Sequence, residues 1–186
     1  MTRRPLFPKP YADFVARLRV PMGFVLVVAF AWLSVPTAES VAAGAAISLC
    51  GVLLRGWAAG HLRKDKVLTT SGPYRYIRNP LYVGTLTVAL GMAFAAQQVW
   101  LAALFAAVFL FVYLPAITLE EQHLHDLFPE FDDYSRRVPL LLPWRRPLPN
   151  ERRFSFSQYI ANREYEALFG FLAGIVFLLA KAMYLS

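Results

Sequence analysis

Charged residues are missing from long stretches of this chain and crowded into the segments between them. Pro21–Ala38 carries none, and Ser40–Leu54 carries none before Arg55 interrupts ahead of Gly56–Gly60. Asn79–Leu119 is uncharged throughout, broken only by the polar pair Gln97-Gln98, and Ala167–Ala180 is the last such run. A bilayer core takes about 20 residues of helix, with a range of roughly 17–25. The Asn79–Leu119 stretch therefore fits two spans with a tight turn at the glutamines. The pattern predicts five transmembrane helices, at about 20–37, 40–60, 81–97, 99–119 and 166–184, in a single all-α integral membrane domain covering 1–186. Helices are required because an unpaired backbone amide in hydrocarbon costs several kcal/mol. The runs are also too uniformly apolar to alternate as barrel strands do. The first run is longer than a signal-peptide core and follows a long basic leader, so it reads as a span.

Composition agrees with that pattern. The chain is 58% hydrophobic and 17% charged, with a mean hydropathy of +0.44. Soluble domains run near 45–50% apolar and about 25% charged. The net charge of +7 by itself suggests nucleic acid or an anionic membrane surface. Its distribution decides between them. Arg3, Arg4, Lys9, Arg17 and Arg19 precede the first span. Arg55, Arg63, Lys64, Lys66, Arg75 and Arg78 fall at the junction of the second and third. Arg136, Arg137, Arg145, Arg146, Arg152, Arg153 and Arg163 fall between the fourth and fifth. Only Lys181 lies on the other side, so 18 of 19 basic residues share one flank. By the positive-inside rule this puts the N-terminus in the cytoplasm and the C-terminus opposite. The basic residues form membrane flanks rather than a nucleic-acid motif. A lone cysteine, Cys50, excludes an intramolecular disulfide and a cysteine-based zinc site. His61, His123 and His125 leave little for a histidine metal centre, and no metal is expected.

The turns opposite the basic flank are too short to build a site, so function is sought in the cytoplasmic segments 61–80 and 120–165. In the first, Gly72-Pro73 marks a turn, and Asn79-Pro80 reads as an N-cap followed by proline at the first helical position. Tyr74, Tyr76 and Tyr82 interleave with Arg75 and Arg78. Two readings fit, an aromatic and basic belt at the interface or a ligand site. In the second segment, Pro115 is placed to kink the fourth helix near its end. Counting back four residues from Leu124 puts Glu120 on the apolar face, with Glu121 about 100° away. A carboxylate on that face must find a donor or a cation. Its partner is either a nearby arginine or a ligand's hydroxyl, sulfonium or ammonium group. Arg55 lies close enough to the membrane boundary to snorkel. Phe154–Tyr165 reads as a short helix on the membrane surface, and Glu164 and Glu166 suit the start of the last helix. Dinucleotide, Walker and nucleophile-elbow signatures are absent from the sequence.

The stretch Leu68-Thr-Thr-Ser-Gly-Pro-Tyr-Arg-Tyr-Ile-Arg-Asn-Pro-Leu-Tyr-Val-Gly84 resembles the signature of the isoprenylcysteine carboxyl methyltransferase family. So does the later block of Glu120-Glu121, Phe128, Tyr134-Ser-Arg-Arg-Val-Pro and Pro143. That family comprises small membrane enzymes that use S-adenosylmethionine and are related to phospholipid methyltransferases. The resemblance covers about residues 50–145. It implies a cofactor site made of Lys66, Val67, Leu68, Thr69, Tyr74, Asn79, Pro80, Leu81, Tyr82 and Glu120. Three positions depart from the family pattern. Asn79 stands where histidine is frequent, Lys66 where carboxyl-methylating members carry histidine, and Ala116 where they carry a substrate-contacting arginine.

The implied activity is S-adenosylmethionine-dependent methyl transfer to a lipophilic or lipidated acceptor, with the lipid bilayer as partner. The donor is already activated, so positioning carries most of the catalysis. Arg55, His61, Arg137, Arg163 and Glu164 are candidates for orienting the acceptor by location alone, and no catalytic base stands out. Two other readings stay open at this point: an NADPH-dependent membrane reductase of the sterol-reductase type and a non-catalytic membrane scaffold.

Overall fold

The structure, a computed structural model, describes residues 9–149 and 152–185. Arg3 and Arg4, counted above on the basic flank, lie outside the described residues. The described chain is helical, without a strand. Helices α1 (Lys9–Leu33), α2 (Ala38–Ala59), α3 (Pro80–Ala96), α4 (Val99–Val108), α5 (Leu114–Leu127) and α8 (Tyr165–Leu185) make the body. Two short helices, α6 (Phe131–Arg137) and α7 (Phe156–Ala161), lie in the polar segment between α5 and α8. A π turn over Phe109–Tyr113 joins α4 to α5, giving one continuous 29-residue helix, Val99–Leu127. Among the described residues three helices are long and apolar enough to cross a membrane: α2, the α4–α5 rod and α8. Two shorter apolar helices, Pro21–Leu33 and Pro80–Ala96, accompany them. The protein is an all-α multi-pass integral membrane protein.

The helices pack through small residues. Gly44 and Gly51 of α2 face Gly91 and Gly84 of α3 so closely that a Cβ on Gly44 would press into the Gly91 carbonyl oxygen. Such spacing lets two backbones approach where lipid removes the usual hydrophobic drive. Ser48 adds a hydrogen bond across the seam, its hydroxyl donating to the Val88 carbonyl at 3.1 Å. α1 closes the other side, with Val15 and Leu26 buried against Val108 and Val112.

At the end away from the basic flank, a capping box between Thr37 and Ser40 starts α2. Gln97, in a left-handed conformation at φ 51°, turns α3 into α4. Pro115 explains the π turn. It has no N–H and its ring displaces the carbonyl of residue 111, and that carbonyl accepts a hydrogen bond from the Tyr11 hydroxyl at 3.0 Å. The expected kink is thus a π turn upstream of the proline. Helix α5 also runs eight residues past the expected end at Leu119, because charge marks where the bilayer stops and not where the helix does.

Candidate active site

The two polar blocks singled out in the sequence are knitted together by backbone hydrogen bonds. Arg78 and Asn79 donate N–H bonds to the carbonyls of Pro139 (2.9 Å) and Leu140 (3.2 Å), and the Leu148 N–H donates to the Arg75 carbonyl at 3.2 Å. Tyr134, on α6, donates its hydroxyl to the Tyr74 carbonyl at 2.8 Å. Burial pushes both phenols above the ordinary tyrosine value, so each is a neutral donor. For Tyr74 the neighbouring Tyr134 and Glu120 push further in the same direction, while Arg78 partly offsets the rise at Tyr134. Gly72 makes the turn into this block. Its φ is +59°, and any Cβ there would meet the His61 ring within 2.5 Å.

Between these blocks and the ends of α3 and α5 lies a cavity of about 810 Å³, within the roughly 300–1,000 Å³ typical of small-molecule sites. Val67, Leu68 and Thr69 form one wall, with Tyr74 beside them. Asn79, Pro80, Leu81 and Tyr82 form a second, and Glu120, Glu121, Leu124 and Phe128 a third. The Tyr82 hydroxyl donates to Glu120 Oε2 at 2.9 Å, and the edge of the Tyr113 ring meets the Tyr82 ring at 6.2 Å. Glu121 takes a bidentate pair from Arg78 at 2.6 and 3.1 Å. Arg78 also donates to the carbonyls of Ser135 (2.6 Å) and Val138 (3.1 Å). Asn79 is buried. It is the N-cap of α3 and Pro80 its first residue, as expected, but the Asn79 Nδ2 donates to Glu121 Oε1 at 3.3 Å and its side chain does not cap the helix. At the apolar end Arg55 forms a bidentate pair with buried Glu164 at 2.6 and 3.1 Å. Its remaining Nη1 donates to the Thr85 hydroxyl and to the Leu81 carbonyl.

The pattern of the phospholipid methyltransferase family matches residues 18–130, more than half the chain and all three cavity walls. The chain belongs to the phospholipid methyltransferase family. It is 35% identical to a nickel-cobalt-cadmium resistance protein, NccN, of Alcaligenes xylosoxydans xylosoxydans, over 73% of this chain and 70% of that protein. It is 42% identical to methanethiol S-methyltransferase 1 of Bradyrhizobium diazoefficiens over 39% of this chain and 25% of that one. It is 34% identical to a protein-S-isoprenylcysteine O-methyltransferase of Schizosaccharomyces pombe over 46% and 36% respectively. No solved structure matches. The protein is therefore a membrane methyltransferase.

All the cofactor-site residues expected in this methyltransferase line this cavity except Lys66, which is exposed on the loop beside it. Of the acceptor-orienting candidates, Arg55 lines the cavity and Glu164 holds it from behind. The snorkelling expectation for Arg55 gives way to this ion pair, and Glu164 is a buried ion-pair partner rather than a helix-dipole residue. His61 is buried outside the cavity, its Nδ1 donating to the Trp57 carbonyl at 2.9 Å. Arg137 is exposed and bonds the Asp133 carbonyl. Arg163 is exposed and pairs with Glu166 at 2.6 Å. Neither reaches the cavity.

Sequence reasoning missed Tyr113, Glu121, Asp65, His123 and Gly23, which also line the cavity. Tyr113 had a signal: it lies seven residues, or two helical turns, before Glu120. Gly23 had none, because only the packing of α1 brings it there. Among the described residues no group of three or more His, Cys, Asp or Glu side chains is placed to hold a metal ion.

Proposed function

We propose that this methyltransferase uses S-adenosylmethionine, held in the 810 Å³ cavity, and methylates a neutral, lipophilic acceptor that reaches the cavity from the membrane. The observation that carries the reading is the cavity itself, where both signature blocks and Glu120 converge around an aromatic and polar lining. The residues fit such a cofactor. Glu120 is exposed to the cavity and has acceptor capacity for hydroxyl or amino groups beyond its bond from Tyr82. Leu68, Leu81, Leu124 and Phe128 supply apolar surface. When bound, S-adenosylmethionine supplies a methyl group already activated on a sulfonium. The chain's own residues bind and orient. Tyr82 fixes the Glu120 carboxylate, Tyr113 braces Tyr82, and the Arg78–Glu121 pair locks α5 onto the start of α3.

The acceptor reading rests on Arg55 and Ala116. The Arg55 guanidinium is neutralised by Glu164 and shares its remaining bonds with Thr85 and Leu81. Ala116 is buried and carries no charge where the carboxyl-methylating relatives place an arginine. Beside Arg55 and Ala116 an acceptor carboxylate would thus meet no cation that lacks a carboxylate partner, and burying it there is costly. We also infer that the basic flank and the cavity face the cytoplasm, with the C-terminus opposite.

Equilibrium binding of labelled S-adenosylmethionine to detergent-purified protein tests the site. Glu120→Ala and Tyr82→Ala should each weaken binding by roughly tenfold or more while leaving the protein monodisperse, since a hydrogen bond to a charged group contributes about 1.5–3 kcal/mol. Wild-type affinity in both variants overturns the site map. Supplying labelled cofactor with a membrane lipid extract and, in parallel, a prenylcysteine carboxylate tests the acceptor. Label is expected on a neutral lipid, and label on the carboxylate overturns that assignment.

A further inference from the structure

A second hollow, of about 260 Å³, lies where α2 ends against the segment that leads into α7. Its walls are polar: Arg63, Arg152, Arg153, His61, Ser155 and Gln158. The frame is fixed by the backbone. The Ser155 N–H donates to the Gly60 carbonyl at 2.9 Å, and Asn162 Nδ2 donates to the carbonyls of Ala59 (2.9 Å) and Leu62 (3.0 Å). Phe154 covers Gly60 so tightly that a Cβ there would clash with its ring, and its ring lies 6.2 Å from that of His61.

Three arginines thus line one small hollow, and among the described residues none of the three pairs with a carboxylate. Like charges gathered this way repel, and an anion with several acceptor oxygens relieves the repulsion through charge-assisted hydrogen bonds. Beside the hollow, Phe154, Phe156 and Ile160 stay 49%, 67% and 44% exposed. An apolar edge below an arginine cluster at a membrane boundary matches a ligand with an anionic head and a hydrocarbon tail.

We propose that this hollow binds a phosphate-type anion, presented by the headgroup of an anionic phospholipid. The site is separate from the methyl-donor cavity, although Arg63 stands on the wall of both. It does not depend on the assigned activity, because its test reads binding of lipid and no methyl transfer.

The experiment titrates the full chain, purified in detergent, with short-chain phosphatidylglycerol, short-chain phosphatidylcholine and inorganic phosphate, and counts bound ligand by native mass spectrometry. Phosphatidylglycerol is expected to bind the wild type with preference over phosphatidylcholine. The double variant Arg152→Gln/Arg153→Gln should lose about tenfold or more of that affinity. Arg145→Gln/Arg146→Gln, the same charge change at exposed positions outside the hollow, should lose less than about twofold. A second variant, Gln158→Glu, sets a carboxylate in the hollow with every arginine kept, and should give a comparable loss at an unchanged unfolding midpoint. Equal losses in the two arginine pairs, or wild-type affinity in Gln158→Glu, overturn the site. Saturation by inorganic phosphate with no gain from the lipid overturns the headgroup assignment.

Discussion

Glu120 and Glu121 are neighbours in the chain with different tasks, and the difference follows from what each meets. Glu120 shares a helix face with Leu124, as the four-residue count predicts; Leu124 packs against the cluster of Phe131, Tyr134 and Val138, while Glu120 itself faces the cavity. Its carboxylate is therefore exposed and bonded only lightly, to Tyr82. Glu121, one helical step away, meets Arg78, whose side chain is 10% exposed, and satisfies it in bidentate fashion. The count gave the direction of Glu120 but not the depth of the cavity, which depends on loop 67–69 arriving from elsewhere. Removing either partner of a largely buried pair leaves a charge uncompensated and costs about 3–5 kcal/mol. Arg78→Ala and Glu121→Ala should each lower the unfolding midpoint in detergent markedly. The double variant should lose much less than the sum, as a double-mutant cycle would show. Strict additivity would mean that the pair does not hold α3 to α5.

Tyr74 and Tyr134 add a dependence on pH. Burial raises both folded-state values, while the unfolded chain ionises near the ordinary tyrosine value of about 10. Stability from keeping these phenols neutral is complete below that value and is lost as pH climbs from about 10 toward the raised folded values. Tyr134→Phe should flatten this alkaline loss, at the cost of the bond to the Tyr74 carbonyl. An unchanged alkaline slope would show that other groups set it.

At the scale of elements, the gaps between charges located the helices because lipid tolerates so few charged side chains. The same rule hid what charge does not report. Helix α1 begins at Lys9, well before its apolar part, since its first turns are helical without being apolar. The π turn leaves no signature beyond Pro115, and the α2–α3 seam is visible only as small residues spaced seven apart. That seam makes a sharp contrast possible. At Gly44 a Cβ would press into the Gly91 backbone, whereas at Gly170 on α8 it would meet nothing within 4 Å. Gly44→Ala should destabilise by about 1–3 kcal/mol, as overpacking does. Gly170→Ala should be neutral or stabilise by up to about 1 kcal/mol through helix propensity. Thermal unfolding in one detergent compares the two. Equal effects would show that the helices separate readily along the seam.

Across the whole molecule, one basic residue breaks the charge asymmetry, and the structure accounts for it. Lys181, near the end of α8, donates from Nζ to the carbonyls of Ala31 (2.7 Å) and Trp32 (3.2 Å) and to the Ser34 hydroxyl (3.2 Å). Those carbonyls form the last turn of α1, where the helix dipole is negative. The lysine is thus a local partner for a helix end and exerts little pull on orientation, which leaves the other 18 basic residues to set it. The cavity and the arginine hollow both open on that basic side, so orientation decides which compartment supplies the cofactor. The sequence holds a single cysteine, which makes the test direct. With Cys50 replaced by serine, a cysteine is placed either at Gln98, in the turn between α3 and α4, or at Arg145, in the basic segment. Intact cells are then treated with a membrane-impermeant maleimide. Labelling at position 98 is expected without permeabilisation, and labelling at 145 only after it. The reverse pattern would turn the molecule over and place the cavity on the far side of the membrane, away from a cytoplasmic supply of S-adenosylmethionine, so that the proposed activity and the orientation stand or fall together.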